Sequence, residues 1–235
     1  MPAEPFKYDG KLDPDKTNRI LQFCDESVLD IGCNTGELVG YLSTIGIHAE
    51  GIDIDEGHIR TAKLHFPASS FHVGSDLSRF ADNQFKTVVV WDVLEHIPDD
   101  FTALGECLRI ASSNVILSVP KEDEISLPHS RVTYRPYVDP THVHYYSRAV
   151  MTEMLNKLGR YRIYFEDFYR VRPLMAYVKI GIPFRVCNLL DRLFWKVGHN
   201  TELFYGNLMV VITKNGSARQ SQQTHSALGS RPKAI

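Results

Sequence analysis

The sequence predicts an α/β protein: a doubly wound sheet of seven strands with helices on both faces and a helical insertion between the last two strands. Three observations carry that prediction. Short apolar runs alternate with segments whose apolar residues recur at helical spacing. One run, residues 87–93 (TVVVWDV), is apolar almost throughout, as a strand covered on both faces of a parallel sheet must be. And the first run, residues 27–33 (SVLDIGC), passes through a glycine turn straight into a helical pattern at 36–45, where Leu38, Val39, Tyr41, Leu42 and Ile45 share a face.

The elements follow in order. Asp13-Pro14 reads as an N-cap with proline at the first helical position, and Ile20, Leu21, Phe23 and Cys24 give that short helix an apolar stripe. After the first strand and its helix come a strand at 48–55 (HAEGIDID), a helix at 56–66, and strands at 70–77 and 87–93. A helix at 101–110 leads to a strand at 114–119 (NVILSV) that Pro120 stops. Ser147 opens a helix that Gly159 ends, residues 161–169 alternate like a strand, and 208–213 supply the last one.

Two segments break the alternation. Residues 121–146 form a connection long enough to be an active-site lid. Residues 173–198 are dense in large apolar side chains punctuated by Lys179, Arg185, Arg192 and Lys196, and read as two short amphipathic helices broken at Gly181-Ile182-Pro183. Residues 1–214 are expected to form a single domain. The stretch 215–235, rich in Ser, Gln, Gly and Ala, cannot offset the entropy of ordering and is expected to be disordered.

Composition narrows the function. With 26 Lys and Arg against 28 Asp and Glu the net charge is −2, which gives no general attraction to nucleic acid. Four scattered cysteines without CxxC spacing fit neither a zinc site nor a disulfide framework, and the first residues lack a signal-peptide pattern. The expected location is the cytoplasm, with peripheral contact to a membrane as the alternative.

The most informative stretch is Asp30-Ile31-Gly32-Cys33-Asn34-Thr35-Gly36-Glu37. Small residues after a strand let a ligand approach the backbone, and the helix that follows offers unpaired N–H groups. Asn34 stands where the dinucleotide fingerprint needs its second glycine, which disfavours NAD, and no P-loop pattern is present. Asp53 closes the next strand, where a carboxylate can accept from both ribose hydroxyls, and Asp76 follows the third. Acidic residues after successive strands suit a neutral or cationic nucleoside.

On these residues the chain resembles the class I S-adenosylmethionine-dependent methyltransferases, in particular their broad small-molecule group. VLDIGCNTGEL at 28–38 looks like the glycine-rich first motif, GIDID at 51–55 like the acidic second strand, GSDL at 74–77 like the adenine-side loop, and VVVWDVLEHIPD at 88–99 like the fourth-strand motif. The resemblance spans about residues 25–165 plus the closing strand. It implies a Rossmann-like methyltransferase sheet and S-adenosylmethionine as cofactor. Gly32 and Gly36 would lie beneath the methionine portion and Asp30 near its ammonium. Asp53 would hold the ribose, Asp76 and Leu77 border the adenine, and Trp91 or Asp92 floor the pocket. Cys33, Asn34 and Ile54 complete the implied binding set.

Methyl transfer requires placement of the acceptor atom rather than a covalent nucleophile, and a hydroxyl acceptor benefits from a general base. Asp92, His96, His142 and His144 are the candidates. Glu95-His96 follows the fourth strand at the sheet's carboxyl edge, and His142 and His144, two apart, face the same way if the segment is extended. The histidines could instead bond loop backbone, or with Asp139 hold a divalent ion; no metal is assigned. Arg131, Tyr134, Arg135 and Tyr137 could contact an anionic or sugar-like acceptor. The expected acceptor is a small molecule or glycan, methylated at oxygen, with a quinone or lipid-linked acceptor as the alternative and a non-catalytic nucleoside-binding module as the rival class. The 173–198 segment fits a lid, a homodimer surface or a membrane contact.

Overall fold

In the computed structural model, which describes residues 12–121, 141–170, 178, 181–197 and 205–214, the chain runs α1 (Pro14–Leu21), β1 (Ser27–Ile31), α2 (Glu37–Thr44), β2 (His48–Asp53), α3 (Glu56–His65), β3 (Ser70–Val73), β4 (Phe85–Trp91), α4 (Asp100–Ile110), β5 (Ala111–Pro120), α5 (Arg148–Leu158), β6 (Tyr161–Arg170), α6 (Phe184–Val197) and β7 (Tyr205–Lys214). The strands form one sheet in the order β3-β2-β1-β4-β5-β7-β6. The first five in that order are parallel, and β7 inserts antiparallel between β5 and β6. The seven-stranded Rossmann-like architecture is therefore present, as a mixed sheet.

Apolar cover lies on both sides. One layer joins Leu29, Val88, Val90, Leu104, Leu117, Met151 and Val210; the other joins Val28, Val39, Ile59, Val89, Ile116 and Val211. Alternate residues of one strand thus serve opposite layers, so β1, β4, β5 and β7 read as continuous apolar runs.

Four strands end earlier than the sequence pattern suggests, β2 at Asp53 and three others for one reason. β1 stops before Gly32 (φ +74°), β3 before Gly74 (φ +119°) and β4 before Asp92 (φ +54°), each with a left-handed backbone that leaves the sheet. Val93, expected in the strand, instead opens a short 3-10 turn over Leu94–His96. Asp13, Asp55, Asp99 and Ser147 cap α1, α3, α4 and α5 through side-chain oxygens. Of the insertion, the helix after Pro183 is present as α6; the one expected before Gly181, most of the lid and the 215–235 tail lie outside the described residues.

Candidate active site

The carboxyl edge of the parallel strands collects the residues singled out above. At the first turn, Gly32 donates its N–H to the Ile52 carbonyl (2.8 Å), and a Cβ there would sit 2.4 Å from Val93 Cγ2. Gly36 (φ +85°) starts α2, and a Cβ would meet the Phe71 ring at 2.7 Å and Ala62 at 2.9 Å. Both glycines are therefore required by backbone and by neighbours. Cys33 is buried, its Sγ packed where Gly51 leaves room, and burial pushes its thiol pKa up. It fills space rather than reacting.

Asp53 ties two turns together. It accepts from Asn34 N–H through Oδ2 (2.9 Å) and from Asp55 N–H through Oδ1 (2.9 Å), which sets β1's turn against β2's end. Next to it Ile54 is 77% exposed, an apolar ledge beside an acid. Asp30 is buried, and burial pushes its pKa up to about 6, Lys16 opposing the shift and Asp53 and Glu37 adding to it. At the third strand the picture differs. Asp76 is exposed and its carboxylate is engaged in capping the turn Leu77–Arg79, accepting from Ser78 N–H (3.0 Å) and Oγ–H (2.6 Å), which holds its pKa down.

β4 brings Trp91 and Asp92. Trp91 is buried against Phe168 with ring centroids 5.3 Å apart. Asp92 Oδ1 accepts from Ser118 Oγ–H on β5 (2.6 Å) and from Asn207 Nδ2–H on β7 (3.1 Å), and burial raises its pKa against those bonds and the charges of Lys16 and His142. Ser118, Asn207 and Lys16 were not singled out from sequence. A polar residue inside an apolar strand is the signal for the first two. For Lys16, whose Nζ lies 5.5 Å over the Trp91 ring, helical spacing carries no signal.

The histidines divide. His96 Nδ1 faces Thr141 through its carbonyl (3.2 Å) and Oγ1 (3.1 Å), and His142 packs edge-on to His96 with centroids 4.7 Å apart. His144 instead contacts the Pro98 carbonyl through Nε2 (3.1 Å), and its Nδ1 lies 3.8 Å from Asp100. Both lid histidines face residues 95–100, as their spacing implies, but only His142 reaches His96. Val143 N–H donates to the Glu95 carbonyl (2.9 Å), and Tyr146 O–H donates to Asp100 (2.8 Å), pinning the end of the connection to this edge. Arg131, Tyr134, Arg135, Tyr137 and Asp139 lie outside the described residues.

A family model described as a methyltransferase domain matches residues 8–160. The chain belongs to that methyltransferase family. Among curated relatives, the ubiquinone biosynthesis O-methyltransferase of Thiobacillus denitrificans is 31% identical over 118 residues, 46% of this chain and 51% of that protein. The Pseudomonas aeruginosa protein of the same name is 26% identical over 179 residues, 66% and 77%. The chain spans about half the length of the first curated relatives it matches. A solved S-adenosylmethionine-dependent methyltransferase from Archaeoglobus fulgidus superposes with a TM-score of 0.61 at 24% identity, over 85% of this chain and 92% of that one. Phosphoethanolamine N-methyltransferase 2 of Haemonchus contortus, in complex with S-adenosyl-L-methionine, gives 0.59 at 15%, over 86% and 52%. These likenesses agree with the mixed seven-stranded order.

In this member of the methyltransferase family one further grouping lies at the same edge. Glu95, His96 and His142 each present a ligand atom within 4.8 Å of the others, the set among the described residues whose donors suit a divalent ion. It shares His142 with the trio considered from sequence, and leaves His144 out.

Proposed function

We propose that this methyltransferase uses S-adenosylmethionine to methylate a hydroxyl of a small aromatic acceptor of the quinone-precursor class. The residues of the first two turns fit that cofactor. Gly32 and Gly36 let the first turn take a left-handed path packed tightly on Val93, Phe71 and Ala62, buried Asp30 would meet an ammonium, Asp53 would face ribose hydroxyls, and Ile54 offers an apolar ledge for a base. When bound, the cofactor supplies an electrophilic methyl group for in-line displacement.

The observation that carries the oxygen acceptor is the state of His96. A carbonyl oxygen only accepts, so the Thr141 carbonyl beside Nδ1 favours the tautomer protonated there, in which Nε2 is the proton-accepting nitrogen. His96 then takes the acceptor's hydroxyl proton, while His142 packs against its ring and half-buried Asp92 floors the site between β4, β5 and β7. The names of the curated relatives favour a quinone precursor over a glycan.

The test is a turnover assay on catechol-type acceptors and glycosides with wild type and His96→Gln. Methylation of a catechol, with kcat about 100-fold lower in the variant and S-adenosylhomocysteine affinity retained, supports the reading. Methylation of glycosides alone, or full turnover without His96, overturns it.

A further inference from the structure

The helix α6 is oriented against expectation for an amphipathic segment. Cys187 and Asp191, four residues apart, are buried, whereas Val186, Leu189, Leu190 and Leu193, at the spacing of one helical stripe, face outward. Leu189 is 58% exposed and Phe184 at the start of the helix 55%. Arg185 and Arg192 flank the stripe and are exposed as well. The acid of this helix is turned inward and its arginines and leucines outward.

The sheet brings the two ends of the segment that holds α6 to the active-site edge. β6 ends with Arg170 paired to Tyr205, and β7 then pairs Asn207 with Pro120 at the carboxyl end of β5. The segment holding α6 therefore leaves and returns at the edge where Asp92 lies, and the strand that returns carries the Asn207 amide bonded to Asp92. Charge decides what covers the stripe. An isologous pairing of two copies sets the face against itself, bringing arginine toward arginine with no exposed acid on α6 to answer it. An anionic lipid surface supplies the missing counter-charge and takes up the leucines together. In sequence the whole insertion repeats this bias, with Lys179, Arg185, Arg192 and Lys196 against Asp191 alone. Fourteen residues are too few to span a bilayer, so contact of this helix with lipid would be along the surface.

We infer that α6 docks this protein onto anionic membranes, with the acceptor side of the active site facing the lipid, so that the acceptor of the proposed reaction is an amphiphile drawn from the bilayer. The location stands on α6 alone, and the nature of the acceptor rests on the function proposed above. The experiment is co-flotation of the full chain with phosphatidylcholine vesicles, with and without phosphatidylglycerol. Wild type is expected to float with the anionic vesicles. Leu189→Asp with Leu193→Asp should lose on the order of tenfold or more of that partitioning, and Arg185→Gln with Arg192→Gln about thirtyfold. Circular dichroism and S-adenosylhomocysteine affinity should match wild type in both, since these exposed side chains lie outside the cofactor turns. No flotation of wild type, flotation unchanged in both variants, or a wild-type dimer that the leucine variant dissociates without any lipid binding, overturns the inference. Methylation of a soluble catechol is measured separately, so failure of the chemistry and failure of the docking give different results.

Discussion

The two halves of the sheet are built differently. On the side of β1, β2 and β3 the connections are short, and the candidate ligand-binding residues sit at strand ends or on turns that are bonded to their neighbours: Gly32 to Ile52, Asn34 to the Asp53 carboxylate, Gly74 to the Asp53 carbonyl. On the side of β5, β7 and β6 the strands are joined by long segments, and side chains such as Ser118, Asn207, His96 and His142 do the organising. A half built from constrained turns suits a ligand part that must be held in one place. A half built from long connections leaves room for acceptors to differ, which is how relatives of one fold act on different molecules.

The contrast can be broken most severely at the turns. Gly32→Ala places a Cβ into Val93 at a left-handed position, and should cost about 3 kcal/mol of stability and abolish measurable cofactor binding; thermal unfolding and calorimetry check both.

Asp30 sharpens it through pH. Its folded pKa of about 6 exceeds the ordinary carboxylate value, so the folded state holds the proton longer than the unfolded one. Its contribution to stability is full below the unfolded pKa, declines as pH rises, and has become a cost above about 6. Asp30→Asn should therefore raise apo-protein stability at pH 8 by up to about 3 kcal/mol, change little at pH 4, and weaken cofactor binding. Urea unfolding at the two pH values reads the difference.

The smallest effect is expected at Arg109. It donates to the carbonyls of Leu77 (3.1 Å) and Phe80 (2.8 Å) and to Asp82 (2.7 Å), holding the loop after β3. Arg109→Met should raise KM for the cofactor about fivefold with kcat unchanged; steady-state kinetics with the cofactor varied decide it.

How much was legible follows the same division. The alternating α/β architecture and the first two turns could be read because apolar runs alternate with helical patterns, a glycine after an apolar run marks a left-handed exit from the sheet, and an aspartate at a strand's carboxyl end stands where α/β folds bind ligands. Strand ends were overextended at Val93 because an apolar residue after a left-handed Asp92 looks like more strand. The pairing of His96 with His142, forty-six positions apart, depends on where a long connection returns, and spacing carries no such information. Lys16 over Trp91 was missed for the same reason: a lysine on an amphipathic helix reads as a solvated one. Asp76 reads the same way as Asp53 in sequence, and only the structure shows it exposed and engaged in capping.

The central claim is that the two constrained turns form the cofactor site, and calorimetric titration of wild type and Asp53→Ala with S-adenosylhomocysteine tests it most directly. The account predicts binding by wild type and a loss of about tenfold or more in the variant. Equal affinity in the two proteins, or no binding by wild type, would contradict it.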